Sequence, residues 1–549
     1  MESHGIILIP FLLLFLLAAG DVLPAQTETV EDKWAGIEKT RWSDPNSSPM
    51  TYEEFLALHT TSGPFTIDEK QTLRPPSGAA AKTGLRHGGG TGLFLIIVNA
   101  GLEPLIQPKL DAYAASIAAE GYTVTLLTTS GGTPPDIRTT LTGYLPSGLI
   151  GAVLIGDLPV PWYEVSGAQF PCDFFYMDLD GTWTDQDHNG IYDLHQNNET
   201  PEIFVGRLTA SPLQGIGQGS EHAKVNRYFG KIDKYRKGQF TVNARALAYP
   251  DDDWSYFGGC GLSQLYDDVV VVNDKATTTG EDYKLRLEEN YEWIHVCVHS
   301  WHEGHSFNPT GIVTSMDIRT IDPIAHFYNL FACSNCLYTA QDYQGGWYIF
   351  ADTYGLAAVG STKSGSMLDF GSFYRPLGGH ATIGGAFREW WTAQHPYSLS
   401  DQEWFYGMTL LGDPMLVPAE TQLFSVFPTS VNASTGGTLF FGLDMNGKHY
   451  DSRDYQILVS ASGTEPRTPV QGIFVPLVFD QITAYAFANT NNSMFKWFSG
   501  TLNVNGDGGA HLVLPPLGTS WVGRTLDFTM VIVNPVEYAT RPLSVPIVP

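Results

Sequence analysis

Apolar runs of strand length alternate with amphipathic stretches from Leu93 onward. The runs LFLIIVNA, YTVTLL and LIGAVLIGD have the length of buried strands, and two stretches with helical spacing separate them. One face of the first of these helices carries Leu110, Tyr113, Ala114 and Ile117. Strands that alternate with helices predict a parallel sheet with helices on both faces.

The same pattern returns further along the chain and then stops. Residues 91–210 and 211–418 each have alternating strand and helix patterns, so we predict two α/β subdomains. From about Pro418 the helical periodicity vanishes. Short runs such as YQILVSAS and TLDFTMVIV are separated there by Gly, Asn and Pro, which predicts an all-β sandwich over residues 419–549.

The N-terminus has the pattern of a processed secretory protein. An apolar run from Ile6 to Gly20 precedes small residues, so we interpret residues 1–25 as a signal peptide; the alternative is an uncleaved anchor. Residues 26–90 are polar and rich in Pro, Ser, Thr and Gly, which indicates a linker or pro-segment with one short helix at YEEFLALH. Arg86 offers a cleavage point in that segment. We therefore expect a secreted or cell-surface protein without a membrane span after processing.

Charge narrows the choice of partners. The 549 residues include 57 Asp and Glu against 30 Lys and Arg, a formal charge of -27, without a basic run. Nucleic acids and anionic membranes are therefore not expected partners. Five cysteines are few for a secreted chain of this length, so we expect stability to come from packed cores, and the unpaired thiol calls for a functional explanation.

The candidate chemistry lies at the ends of two apolar runs. Trp293 to Val298 is followed by His299, and Phe327 to Ala332 is followed by Cys333. If the two runs are neighbouring parallel strands, their carboxyl ends bring an imidazole and a thiol to one edge of the sheet, where open α/β sheets bind ligands. An imidazole is the usual group that activates a thiol. The alternative is a cysteine that merely packs in the core.

An acidic loop is a candidate calcium site. Asp185, Asp187, Asn189 and Asp193 match ligand positions 1, 3, 5 and 9 of a calcium loop, but Gln196 stands where a glutamate is expected. The loop either binds a structural Ca²⁺ or is simply solvated. A zinc site is a further possibility, because seven potential ligands lie close in sequence: His295, Cys297, His299, His302, His305, Cys333 and Cys336. The HExH at His302 to His305 nevertheless lacks the spacing of zinc peptidases.

Several short motifs resemble the gingipain family of secreted cysteine peptidases, whose fold is related to that of caspases. They follow the family's order over about 320 residues: LIGD, PEIFVGRL, the strand before His299, FYNLFAC, AAVGST and LLGDP. The resemblance implies a caspase/gingipain-like α/β fold in two subdomains, followed by an immunoglobulin-like β-sandwich. It also implies a cysteine-type endopeptidase that acts on proteins or peptides without a catalytic cofactor.

The resemblance also implies roles for particular residues. Cys333, at the end of FYNLFAC, matches the nucleophile, and His299 or, alternatively, His305 matches the histidine; His302 is a third choice. Asp251, the first residue of the triplet Asp251 to Asp253, matches an acidic residue beside the histidine, although the triplet is alternatively a solvated acidic turn or a cation site. The oxyanion would be held by the backbone N–H groups of Cys333 and Ser300.

The resemblance leaves three features open. Cys336 is interpreted as a packing residue, a resolving thiol or a reversible lock. The preferred substrate side chain does not transfer from the family. A catalytically inactive or metal-binding extracellular module with the same fold is the alternative function, since a fold does not guarantee an activity.

Overall fold

The computed structural model describes residues 33–59, 63–75, 92–215, 219–237, 239–240, 243–266, 268–307, 311–378, 381–418, 424–445, 450, 452–464, 468–471, 473–504, 506–536, 538–540 and 542–549. The predicted signal peptide and Arg86 lie outside these residues. Up to Ile37 the described chain forms a turn, in which Ile37 N–H donates to Trp34 O (3.1 Å). The chain from Glu38 to Pro549 is a separate compact unit, and it contains all the helices and strands of the described residues.

Helices occur throughout the described residues before Pro418. They are α1 (Tyr52–Leu58), α2 (Glu103–Ala119), α3 (Pro134–Tyr144), α4 (Phe174–Met177), α5 (Glu221–Arg236), α6 (Gly280–Leu287), α7 (Ser315–Ile321), α8 (Gln344–Phe350), α9 (Phe370–Gly378), α10 (Ile383–Gln394) and α11 (Leu399–Phe405). The four residues of the predicted face of α2 are all buried, which confirms that face.

The strands of the same region are numbered in chain order. They are β1 (Thr66–Leu73), β2 (Leu93–Asn99), β3 (Thr123–Ser130), β4 (Leu149–Ile155), β5 (Trp162–Val165), β6 (Ala168–Pro171), β7 (Thr182–Thr184), β8 (Leu194–Gln196), β9 (Phe204–Leu208), β10 (Arg245–Pro250), β11 (Asp268–Val271), β12 (Trp293–Trp301), β13 (Gly304–Ser306), β14 (Ile312–Thr314), β15 (Phe327–Ala332), β16 (Ala357–Ser361) and β17 (Met408–Gly412).

Most of these strands form one large, mainly parallel sheet. Its order is β1-β3-β2-β4-β9-β17-β16-β15-β12-β10-β11, and β13 and β14 extend it from β12. The two halves that the sequence predicts as subdomains therefore share one sheet. They meet where β17 lies parallel to β9 and antiparallel to β16. Because β17 is the last strand of this region, its position between the halves depends on long-range packing that periodicity does not reveal.

The edge strand β1 lies in the segment that we interpreted as a linker. Its residues pair antiparallel with β3, although all but two of its eight side chains are exposed. A strand with few buried side chains has no apolar pattern to reveal it, which explains why the sequence does not predict it.

The C-terminal region consists of separate, mainly antiparallel sheets. Its strands are β18 (Phe424–Phe427), β19 (Val431–Asn432), β20 (Gly437–Asp444), β21 (Asp454–Ser460), β22 (Thr468–Val470), β23 (Ile473–Val475), β24 (Phe495–Lys496), β25 (Ser499–Thr501), β26 (Asp507–Leu514), β27 (Thr525–Val533), β28 (Tyr538–Ala539) and β29 (Leu543–Val548). One four-stranded and one six-stranded sheet enclose an apolar core that includes Phe441 and Phe528. A helix, α12 (Gln481–Ala488), interrupts the all-β pattern that the sequence predicts.

Within the described residues, no helix combines the length and apolarity that a membrane span requires.

Candidate active site

The two strands that carry the candidate chemistry are neighbours. β12 and β15 run parallel, and their register pairs Cys297 with Phe331 and Val298 with Ala332. The next residues in this register are His299 and Cys333. The prediction that these two runs are neighbouring parallel strands is therefore confirmed.

A side-chain hydrogen bond fixes the two strand ends to each other. Ser300 Oγ donates to the carbonyl oxygen of Cys333 at 2.7 Å. The residue after the cysteine, Ser334, has a φ of 52°, a left-handed conformation that is uncommon for a side chain other than Gly. Its N–H donates to Lys363 O at 3.1 Å. The turn that carries the thiol is thus hydrogen-bonded both to Ser300 on β12 and to Lys363, which follows β16.

The thiol of Cys333 is buried among hydroxyl groups. Its sulfur lies 3.3 Å from Ser364 Oγ and 3.5 Å from Ser334 Oγ, and the residue is 0% exposed. Burial raises the pKa of Cys333, while the two serine contacts and the charge of Lys363 lower it. Among the described residues, no hydrogen bond joins this sulfur to the ring of His299.

His299 has a partner on each ring nitrogen. Nε2 lies 3.0 Å from Asp253 Oδ2, and Nδ1 lies 3.2 Å from the backbone nitrogen of Arg41. Both contacts are satisfied by one tautomer, in which Nε2–H donates to the carboxylate and the Nδ1 lone pair accepts the amide N–H. Burial and the charge of Arg41 lower the pKa of His299, whereas Asp253 raises it. Nδ1 of this tautomer can accept a proton once the Arg41 amide has left its lone pair.

The carboxylate at His299 is therefore that of Asp253. The resemblance gave this position to Asp251. Asp251 is buried, and its N–H donates to Cys297 O at 2.9 Å. The chain enters a 3₁₀ helix, Asp252–Phe257, directly after β10, so the second residue of that helix reaches the ring. The sequence offers three adjacent aspartates, and only the geometry of the turn distinguishes them.

A tryptophan from the same turn covers the site. The Trp254 ring packs edge-on against both His299 and Phe331, with ring centroids 4.7 and 5.3 Å apart. Side chains alternate along a strand, so His299 shares one face of β12 with Cys297. The Trp254 ring therefore lies on the same face of the sheet as the imidazole of His299.

His305 and His302 lie in other surroundings. β13 pairs His305 with Ser300, so His305 shares the face of Ser300, which is opposite to that of His299. Its Nε2 lies 3.0 Å from the Tyr348 hydroxyl, and burial lowers its pKa to about 3. The His302 ring stacks on Trp42 at 5.4 Å, and burial lowers its pKa to about 4. Of the three histidines, only His299 directly follows Val298, whose register partner Ala332 directly precedes Cys333.

An extended N-terminal stretch, residues 38–43, lies across this site; we call it the covering segment. Trp254 Nε1–H donates to Glu38 O (2.8 Å), and Ser43 N–H donates to Ser300 O (3.1 Å). Between these ends, the Arg41 amide reaches His299. The segment thus occupies the position that an extended peptide would take beside β12.

Thr40 holds the middle of the covering segment. Its Oγ donates to Gly365 O (3.2 Å) and accepts from Gly365 N–H (3.0 Å), and Thr40 is 1% exposed. Next to it, Lys39 Nζ lies 3.0 Å from Glu403 Oε2. Gly365 follows Ser364, whose hydroxyl contacts the sulfur of Cys333. Sequence reasoning missed this arrangement, because polar residues in a pro-segment have no pattern that identifies their partners.

Cys336 is a packing residue in this structure. It is buried, and a Cβ added at Gly345 or Gly360 would lie 2.7 or 2.6 Å from its sulfur. The thiol therefore fills the space that two glycines leave open.

Three carboxylates lie close together at the acidic loop, and one of them, Glu164, was not among the predicted ligands. Oxygen atoms of Glu164, Asp187 and Asp193 lie within 4.8 Å of one another. Asp185 instead accepts from the backbone N–H groups of Asn189 (3.2 Å) and Gly190 (2.9 Å) and so shapes the turn. Asn189 Nδ2 contacts both Asp187 and Glu164.

Glu164 thus supplies a carboxylate that the calcium-loop pattern lacks at Gln196. It lies on β5, outside the loop, which explains why a motif search misses it. Three carboxylates are suitable oxygen ligands for Ca²⁺.

A cavity of about 420 Å³ opens at the carboxyl ends of the other half of the sheet. Its lining includes Asn99 after β2, Thr129 on β3 and Gly156 after β4, but neither Cys333 nor His299. Cys333, His299 and Asp253 lie instead toward the carboxyl ends of β15, β12 and β10.

No family model matches the chain, and no curated protein matches it in sequence.

Proposed function

We propose that the protein is a secreted cysteine endopeptidase, similar to gingipains, in which Cys333 is the nucleophile, His299 the acid and base, and Asp253 the group that orients His299. The observation that carries this proposal is the hydrogen bonding of His299. One of its ring nitrogens faces a carboxylate and the other faces a peptide N–H, directly beside the strand end that carries Cys333.

The proposed reaction is acyl transfer to the thiol. His299 Nδ1 takes the proton of Cys333, and the thiolate attacks the carbonyl carbon of the peptide bond. The backbone N–H groups of Cys333 and Ser300 hold the oxyanion. When the C–N bond breaks, Nδ1 returns the proton to the departing amine. Water, deprotonated by Nδ1, then attacks the thioester and releases the acid and the thiol. Asp253 stabilises the imidazolium that forms in both halves of the reaction.

The position of the covering segment supports this assignment. The nitrogen that would leave in a bound substrate must lie within reach of the acid, and the Arg41 amide nitrogen lies 3.2 Å from His299 Nδ1. The segment belongs to the stretch interpreted from the sequence as a pro-segment. We propose that it keeps the enzyme latent, with Cys333 buried and its pKa raised, until the segment leaves.

Fold and location complete the proposal. The mainly parallel sheet would be the caspase/gingipain-like domain, and the antiparallel C-terminal sheets would be the immunoglobulin-like sandwich that braces it or binds an extracellular partner. The acidic loop would bind Ca²⁺ through Glu164, Asp187 and Asp193 and stabilise the fold without taking part in the reaction.

A second function has one observation in its favour. Because the thiol is fully buried and the chain's own Arg41 amide occupies His299 Nδ1, the alternative is that the domain is a catalytically inactive binding module. The two functions predict different behaviour once the covering segment is displaced, since only the peptidase then cleaves peptides.

Peptide-library cleavage under reducing conditions tests the proposal. The full chain, after limited proteolysis of the segment before Leu93, should cleave peptides in the presence of a chelator. Cys333→Ala should abolish cleavage, whereas the matched control Cys336→Ala, which removes a second buried thiol three residues away, should retain it. Equal activity in the wild type and in Cys333→Ala would refute the assignment. A folded and uncovered protein that cleaves nothing would favour the binding module.

A further inference from the structure

A second group of sulfur and nitrogen ligands lies beneath the candidate active site. His295 and Cys297 are two residues apart on β12, so their side chains share one face. Cys260 joins them from the turn between the 3₁₀ helices Asp252–Phe257 and Leu262–Gln264. All three residues are buried, with at most 1% exposed.

The spacing of the three ligand atoms suits a shared metal ion. The sulfurs of Cys260 and Cys297 are 3.9 Å apart. Both sulfurs and a ring nitrogen of His295 lie within 4.8 Å of one another. Two thiolates on a tetrahedral Zn²⁺, with Zn–S bonds of about 2.3 Å, lie about 3.8 Å apart. The pair is therefore already at the separation that one Zn²⁺ imposes.

One ring nitrogen of His295 is available as a metal ligand. Its Nδ1 lies 2.8 Å from the hydroxyl of Tyr374, which fixes the orientation of the ring. Its Nε2 is buried and has no hydrogen-bond partner in the structure, which is unfavourable for a ring nitrogen. Metal-binding histidines commonly pair the other ring nitrogen with such a second group.

Charge favours a doubly charged ion. A buried charge is costly unless it is compensated, and two thiolates around one Zn²⁺ give a neutral cluster. Sulfur and imidazole are also the ligands that Zn²⁺ prefers, and three protein ligands are the number found where a small fourth ligand completes the shell.

We propose that Cys260, His295 and Cys297 bind Zn²⁺. The ion would join the turn that carries Asp253 and Trp254 to the strand that carries His299, and would so hold the carboxylate at its distance from the imidazole. It would take no direct part in the reaction. The metal site stands independently of the peptidase assignment, because its evidence is the ligand geometry alone.

Metal analysis of the full chain tests the site. Protein loaded with Zn²⁺ and then dialysed should retain one ion per chain, and Co²⁺ in its place should give thiolate-to-metal charge-transfer absorption. Cys260→Ser and Cys297→Ser should each lose both signals, whereas Cys336→Ser, which removes a buried thiol outside the cluster, should keep them.

A spectroscopic measurement on the wild type covers the case in which the variants fail to fold. X-ray absorption at the zinc edge should report two sulfurs and one imidazole around the ion. Protein that retains no zinc, zinc bound only to oxygen or nitrogen, or a disulfide between Cys260 and Cys297 in protein isolated without added thiol would each overturn the proposal.

Discussion

Replacing Thr40 with valine should open the cleft over Cys333. Valine has nearly the shape of threonine, but it can neither donate to nor accept from the backbone of Gly365, so two hydrogen bonds are lost. In the closed state, in which the covering segment lies on the site, the Gly365 N–H and C=O would then be buried without those partners. In the open state water can satisfy both groups, so the substitution destabilises only the closed state.

The size of the effect is set by those two bonds. A hydrogen bond contributes about 0.5–1.5 kcal/mol, so the pair contributes about 1–3 kcal/mol. This shifts the equilibrium between closed and open states by roughly 5- to 150-fold. The other contacts of the covering segment, at Glu38, Arg41 and Ser43, remain in the variant, so the segment should still fold back onto the site.

Alkylation of Cys333 measures this opening without any assumption about substrates. The rate of iodoacetamide labelling, read on the Cys333 peptide by mass spectrometry, should rise by the same factor in Thr40→Val. Thr529→Val is the matched control, because Thr529 is also fully buried and its hydroxyl donates to a backbone carbonyl, that of Thr540. Its labelling rate should equal that of the wild type. Equal rates in Thr40→Val and the wild type would refute the reasoning.

Three further predictions concern stability. The unfolded imidazole of His305 binds a proton at its ordinary pKa of 6.5, whereas burial lowers the folded pKa to about 3. Stability is therefore lost as pH falls below 6.5, and His305→Gln should reduce the loss of unfolding free energy between pH 7 and pH 5 by about 2 kcal/mol in urea titrations. Ca²⁺ should raise the unfolding temperature of the wild type but not that of Glu164→Gln, and an equal shift in both would exclude Glu164 as a ligand. Gly360→Ala places a methyl group 2.6 Å from the sulfur of Cys336 and should cost about 1–3 kcal/mol in denaturant unfolding. Cys336→Ala in the same chain should recover most of this loss, and no recovery would show that the contact is not the cause.

The sequence was most informative where burial leaves an apolar pattern along the chain. The apolar spacing of α2 reflects burial of one face, and the continuous apolar runs of β12 and β15 reflect burial of both faces. The positions of His299 and Cys333 at the ends of those runs could therefore be predicted before their side-chain contacts were known.

The parts that the sequence missed depend on contacts between distant residues. Glu164 joins the acidic loop from another strand, and Thr40 contacts Gly365, which lies 325 residues away in the chain. Asp253 differs from Asp251 only in its place on a 3₁₀ turn. Polar residues of this kind have no periodicity, so their partners emerge only once the sheet has brought them together.

Mass spectrometry can detect the acyl group that the proposed reaction places on Cys333. The protein freed of its covering segment is mixed with a peptide that it cleaves, quenched in acid and digested, so that a thioester can be located. We predict an acyl group on Cys333 that disappears in His299→Ala and persists in His305→Ala. Peptide cleavage that continues in Cys333→Ala, or an acyl group carried by another residue, would contradict the account.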